Sequence, residues 1–86
     1  MNDFTGVLVV TDREALLAQT TSGGMSVQTP ILMDTNPPTA GSTQQMMDFA
    51  RSFFVNEKGL RTGSAVTIRG TVRSVGDVPV IFIIHP

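Results

Sequence analysis

The sequence predicts a mainly β protein with one helix, in the order β-β-β-α-β-β. Three observations lead to this fold class: runs of β-branched and apolar residues near both ends of the chain, one amphipathic segment between them, and turn residues that separate the runs. A chain of 86 residues is long enough for one small core, so we expect a single domain over residues 1–86.

The first strand is predicted at Phe4 to Thr11, FTGVLVVT, because β-branched and apolar residues dominate this run. Gly6 interrupts the run, and a glycine inside a strand often marks a bulge or a bend. Residues 14–21, EALLAQTT, are ambiguous: Asp12 is a suitable N-cap for a short helix, whereas the neighbouring strands favour a second strand. We take the strand as the main interpretation and leave the helix open.

The third strand is predicted in MSVQTPILM, residues 25–33, which follows a turn signal at TSGG. Its apolar and polar residues alternate with the period of two that a strand shows. Pro30 has no backbone N–H to donate to a neighbouring strand. This strand is therefore expected to lie at an edge, or to bend at Pro30.

The helix is the best-defined element. Ser42 and Gln45 have the spacing of a capping box, in which the N-cap residue and the third helical residue bond each other's backbone. Lys58 and Gly59 are typical of a C-terminal end. The helix is therefore predicted from about Thr43 to Lys58. Its apolar stripe consists of Met46, Met47, Phe49, Ala50, Phe53 and Phe54.

The last two strands are predicted in SAVTIRGTVRSVGDVPVIFI, residues 64–83, as a hairpin around a Gly-Asp turn. In the fourth strand one face is apolar, and we expect it to close the core over the helix: Val66, Ile68, Gly70 and Val72. The other face is a polar ladder of Thr67, Arg69, Thr71 and Arg73.

The fifth strand, VPVIFII, is apolar on both faces, which a half-buried strand does not require. If the face that begins at Val78 fills the core, Ile81 and Ile83 point outwards and need a cover. The helix, an N-terminal segment or another chain are the alternatives for that cover. Ile81 and Ile83 are therefore the candidate interface for a protein partner or a homo-oligomer.

The layout resembles the OB (oligonucleotide/oligosaccharide-binding) fold. GLRTGSAVTIRGTVRSVGDVPVIFI is similar to the segment that runs from the helix through the last two strands of OB domains, and FTGVLVV is similar to their first strand. The resemblance implies a five-stranded OB-like Greek-key barrel. An SH3-like barrel with an inserted helix and an α+β sandwich are the alternative folds.

Composition and motifs point away from catalysis. The chain has no cysteine and a formal net charge of -1, and it contains no nucleotide-binding glycine loop, zinc-protease motif or calcium loop. Its one histidine, His85, is expected to be frayed beside the C-terminus. We therefore expect no enzyme activity, no cofactor and no metal site. The N-terminal apolar run is short, which predicts a cytoplasmic protein without membrane association.

The resemblance implies ligand binding on the second and third strands and the loops beside them. EALLAQTTSGGMSVQT has no aromatic residue and no Lys or Arg, so the stacking platform of a single-strand binder is missing there. The remaining candidate ligand residues are Arg13, Thr67, Arg69, Thr71 and Arg73, although such a ladder is also ordinary for a solvent-facing strand. We expect a non-catalytic module for single-stranded nucleic acid, with a protein-interaction or assembly module as the alternative.

Overall fold

Five strands close into a barrel. The computed structural model describes residues 1–86. Its strands are β1 (Asn2–Val10), β2 (Ala15–Thr20), β3 (Ser26–Thr35), β4 (Ala65–Val75) and β5 (Val78–His85). Their order around the barrel is β1-β2-β3-β5-β4, β4 pairs back onto β1, and only the contact between β3 and β5 is parallel. The mainly β fold class and its order are confirmed, and the ambiguous segment after Asp12 is a strand.

The helix lies between β3 and β4, as predicted. α1 (Thr43–Ser52) continues into a π-helical turn, Phe53–Glu57. The capping box is present: the Gln45 backbone N–H donates to Ser42 Oγ over 3.2 Å, and the Ser42 N–H donates to Gln45 Oε1 over 2.7 Å. Helical structure therefore begins at the predicted residue and ends one residue before the predicted end.

The core fills the barrel, and the helix packs Ala50 and Phe54 against it. Its buried members are Leu8, Ala15, Leu17, Ile31, Met33, Ala50, Phe54, Ile68 and Ile81. His85 packs against the helical segment. The centroid of its half-buried ring lies 5.7 Å from that of Phe49 and 5.2 Å from that of Phe53. The expectation that His85 is frayed is therefore wrong.

Two glycines allow neighbouring strands to approach closely. A Cβ at Gly70 would lie 2.6 Å from the carbonyl oxygen of Phe82, and a Cβ at Gly6 would overlap the carbonyl oxygen of Ala18. Gly70 is also the last residue of β4 that pairs with β1, and Thr71 is the first that pairs with β5. The mid-strand glycines are therefore positions of close approach, and Gly70 marks a change of partner.

Pro30 marks a similar change of partner in β3. The segment from Ser26 to Pro30 pairs with β2, and the segment from Ile31 to Thr35 pairs with β5. β3 is therefore not an edge strand, and Pro30 lies where the strand leaves one neighbour for the other. A residue without a backbone N–H is tolerated at such a junction, because fewer ladder hydrogen bonds are required there.

The β4–β5 hairpin reverses the faces that we predicted for β5. Val75 and Val78 pair across a two-residue turn, and this register places Val72 opposite Ile81. Because Val72 shares its face with the core of β4, Ile81 also points inwards. Ile81 is buried, and Ile83 packs against the core. The chain itself covers both isoleucines, which corrects their predicted outward orientation. The outer face consists of Val78, Val80, Phe82 and Ile84.

The hairpin also extends beyond the barrel. From Thr71 onwards β4 has only β5 as a neighbour, and β5 reaches β3 only at Ile81. We call residues Thr71–Val80 the β4–β5 finger. Val72, predicted to belong to the core, is exposed because no third strand covers it here.

Candidate functional site

A groove of about 240 Å³ opens on the outer face of the barrel, beside the β4–β5 finger. Its lining residues are Glu14, Pro30, Leu32, Thr43, Met47, Val75, Val78 and Val80. Leu32 and Val80 are its deepest side chains, with exposed fractions of 1% and 3%, whereas Val75 and Val78 are exposed at 37% and 51%. The groove therefore has a buried apolar floor and an accessible apolar border.

The groove forms where β3 changes its partner. β2 pairs with β3 as far as Leu16 opposite Pro30, and β5 begins to pair with β3 only at Ile81 opposite Ile31. Val78 and Val80 therefore lie near β3 but are not paired with it. Pro30 favours this gap, because it has no backbone N–H to donate to a neighbouring strand.

The loop between β1 and β2 is held against the helix at the border of the groove. The Nε of Arg51 donates to the carbonyl oxygen of Thr11 over 2.7 Å, and the Nε2 of Gln44 donates to the carbonyl oxygen of Arg13 over 3.3 Å. Within the loop, the Glu14 backbone N–H donates to Thr11 Oγ1 over 3.1 Å. These bonds position the backbone of Arg13 and Glu14, while the exposed Arg13 side chain has no hydrogen-bond or ion-pair partner.

Side chains of β1 bond to two of the four residues in the polar ladder on β4. Arg69 lies opposite Asp3, and its Nε donates to Asp3 Oδ1 over 2.9 Å. This hydrogen bond and the charge of Arg69 lower the pKa of Asp3. Thr67 lies opposite Thr5, and the two hydroxyl oxygens are 3.1 Å apart. Arg69 and Thr67 are therefore satisfied by their own cross-strand neighbours.

The other half of the ladder lies on the β4–β5 finger, near the groove. Arg73 is opposite Val80, and its guanidinium carbon is 4.1 Å from the centroid of the Phe82 ring. Thr71 is half-buried opposite Phe82. The structure thus brings Thr71, Arg73 and Phe82 together, and no hydrogen bond or ion pair joins them to Arg13.

The one buried acid, Asp34, holds a loop in place. Its Oδ1 accepts hydrogen bonds from the backbone N–H groups of Thr35 and Thr39, at 2.8 and 3.0 Å, and from the Thr39 hydroxyl at 2.9 Å. These donors lower the pKa of the Asp34 carboxyl, with the backbone N–H of Thr39 as the largest cause. Because its partners are already present, Asp34 is a structural anchor for the segment that leads into the helix.

Sequence reasoning missed Val78 and Val80 as groove residues, because the two faces of β5 were assigned in reverse. No group of three or more His, Cys, Asp or Glu side chains lies close enough together to hold a metal ion. No helix has the length and apolar character needed to cross a membrane.

A scan against protein-family models and searches of curated proteins and of solved structures found no match to this chain.

Proposed function

We propose that this chain is a non-catalytic, OB-type binding module that takes a segment of another protein into the groove beside the β4–β5 finger. The barrel order β1-β2-β3-β5-β4, with a helix between β3 and β4, supports the OB assignment. In OB domains the ligand surface consists of the face of the second and third strands together with the β1–β2 and β4–β5 loops. The groove is lined by residues of β3 and of both loops, since Glu14 ends the first loop and Val75 and Val78 flank the second, and this position supports the proposal.

The apolar lining of the groove carries this proposal. Five of its eight lining residues are hydrophobic, and Glu14 is the only charged one. Accessible apolar surface beside a depression is typical of protein-interaction sites, since covering it releases about 25 cal/mol per Å² of apolar area. The carboxylate of Glu14 repels phosphate, so the groove itself is unsuited to a nucleic-acid backbone.

The charge distribution favours a protein segment over a nucleic acid. Single-strand binding requires a basic surface with stacking aromatic side chains. The formal net charge is -1, and Arg69 is paired with Asp3. Three of the five phenylalanines lie in the helical segment, where Phe54 is buried and Phe49 and Phe53 pack against the core.

Selection of peptides tests the proposal directly. A random peptide library displayed on phage is selected against the wild-type protein and counter-selected against Val78→Asp, which places a charge at the border of the groove. Val27→Asp is the matched control, because Val27 is 45% exposed, does not line the groove and lies in β3. We expect selected peptides with aliphatic anchors that bind wild type and Val27→Asp alike and bind Val78→Asp at least about tenfold more weakly. Peptides that bind all three proteins equally would contradict the proposal.

Single-stranded nucleic acid is the second candidate ligand, and the stack of Arg73 on Phe82 favours it. A guanidinium supported by a ring presents a flat cationic surface to a base or a phosphate. Fluorescence anisotropy with a labelled oligothymidylate of about 15 nucleotides, a length in the range that one OB fold covers, tests this candidate. Binding that weakens with added salt and with Arg73→Ala, but not with the exposed control Arg61→Ala, supports it. The absence of binding at low salt removes it.

A further inference from the structure

β4 has an open edge on the β4–β5 finger. β1 pairs with β4 only as far as Asn2 opposite Gly70. From Thr71 to Val75 the only strand paired with β4 is β5. Residues 72–75 are all exposed. One side of this five-residue stretch therefore has no strand beside it.

The register shows which backbone groups face the open edge. Ser74 lies opposite Pro79, which has no N–H, so these two residues form a pair that does not exchange hydrogen bonds. Paired residues alternate along an antiparallel ladder, so the pair of Val72 with Ile81 is of the same kind. The N–H and C=O groups of Val72 and Ser74 consequently point away from β5.

The other end of β4 agrees with this alternation. The Leu8 backbone N–H donates to the carbonyl oxygen of Ser64 over 2.8 Å. Val72 and Ser74 follow Ser64 by an even number of positions, so their carbonyl groups point to the same side as that of Ser64, the side on which β1 lies. The finger therefore offers two N–H donors and two C=O acceptors to an incoming strand.

We propose that an extended segment of another protein adds to the Thr71–Val75 edge as a further strand, with an acidic side chain opposite Arg73. Strand addition uses main-chain hydrogen bonds for affinity and alternate side chains for specificity. Arg73 supplies the specificity on the outer face, where an opposite charge on a neighbouring strand is favourable. The exposed Val72 side chain lies on the other face, next to aliphatic side chains of the added strand. The proposal rests on the proposed function for the kind of partner, and adds the mode of binding and the sequence that it selects.

A second copy of the chain is a poor occupant of this edge. The only antiparallel two-fold register that uses all five residues is centred on Arg73, and it places Arg73 opposite its own copy. Like charges directly opposite are destabilising. A register centred on Val72 would place Ser74 opposite Gly70 of the copy, where β1 already occupies the edge. A different protein segment therefore fits the complete edge better.

A designed peptide tests the inference. The probe is the acetylated and amidated heptapeptide Ser-Thr-Val-Glu-Val-Thr-Ser, whose sequence reads the same in both directions and so suits parallel or antiparallel addition. It is titrated into the isotope-labelled 86-residue protein, and backbone amide shifts and hydrogen exchange are measured by NMR. We expect the amides of Val72 and Ser74 to shift and to exchange more slowly, and those of Arg73 and Val75, which face β5, to change much less.

Two pairs of variants make the test specific. Ser74→Pro removes the N–H that faces the edge, and Ser74→Ala keeps it; we expect Ser74→Pro to weaken peptide binding by about tenfold and Ser74→Ala to leave it unchanged. Arg73→Glu avoids any dependence on the proline variant. It should lose the Glu-centred peptide and bind the corresponding Lys-centred peptide instead.

The outcomes separate this inference from the proposed function. Unchanged amides at Val72 and Ser74 overturn the strand addition. If the methyl signals of Met47 and Leu32 respond instead, or if displayed peptides still depend on Val78, the groove is the binding site and the proposed function stands alone. A dimer of the free protein in sedimentation that Ser74→Pro dissociates also overturns the inference, because a second copy then occupies the edge.

Discussion

Val72 and Ile81 lie directly opposite each other on the inner face of the β4–β5 hairpin, yet Val72 is 57% exposed and Ile81 is 1% exposed. The difference arises from the third strand. β3 covers Ile81 through its pairing with Ile31, whereas β1 has already left β4 at Gly70. Ile81 therefore lies inside the end of the barrel, whereas its partner Val72 lies just beyond it, on the β4–β5 finger.

This relationship predicts very different effects of shortening the two side chains. Ile81→Ala should lower the free energy of unfolding by about 2–5 kcal/mol, because it leaves a cavity in the core. Val72→Ala should change it by less than about 0.5 kcal/mol, as expected of an exposed position. Urea unfolding followed by circular dichroism measures both. Similar losses in the two variants would show that the β4–β5 finger is covered in solution.

Gly70 should not tolerate a side chain. Gly70→Ala places a Cβ 2.6 Å from the carbonyl oxygen of Phe82, and relieving this overlap should cost about 1–3 kcal/mol. Gly23→Ala is the matched control, because the nearest heavy atom to its added Cβ is 4.0 Å away. Thermal unfolding should show a melting temperature lowered by several degrees for Gly70→Ala and little changed for Gly23→Ala. A native-like melting temperature for Gly70→Ala would contradict the register of β4 and β5.

Asp34 should make the protein sensitive to acid. Its three hydrogen bonds lower its folded-state pKa below the ordinary 3.8, so the unfolded chain binds the proton more tightly. The resulting stability is fully present above pH 3.8 and is lost as the pH falls through the folded-state pKa. NMR titration of the carboxyl measures that pKa directly. Asp34→Asn should flatten the decline of stability at acid pH, and an equally steep decline in the variant and the wild type would contradict this role of Asp34.

Arg69 and Arg73 should differ in ligand binding. Arg69 is engaged by Asp3, whereas Arg73 lies beside the groove and at the open edge. With a peptide selected on the wild-type protein, Arg69→Ala should leave the affinity unchanged and Arg73→Ala should weaken it several-fold, as isothermal titration calorimetry can measure. A larger loss for Arg69→Ala would move the ligand to the β1 side of β4.

The parts of the fold that depend on local signals were predictable from the sequence. The capping box of Ser42 and Gln45 fixed the start of the helix, and alternation in β4 gave the correct inner face up to Gly70. Strand formation after Asp12 depended on pairing with two neighbours, which outweighs local helix propensity.

The site was less predictable, because it depends on contacts between distant elements. Both faces of β5 are apolar, so its pattern alone does not distinguish inside from outside. The two-residue turn between Val75 and Val78 held the missing information: once Val72 is placed inside, this turn places Ile81 inside as well. Nothing local indicated that the helix residue Met47 and the loop residue Glu14 would meet the β4–β5 finger at one groove.

The affinity of a groove-selected peptide for wild type, Val78→Asp and Val27→Asp is the most direct measurement of whether this groove recruits a protein segment. We predict that Val78→Asp binds at least about tenfold more weakly than wild type, and that Val27→Asp binds as wild type does. Equal affinity of the peptide for wild type and Val78→Asp would contradict recognition at the groove.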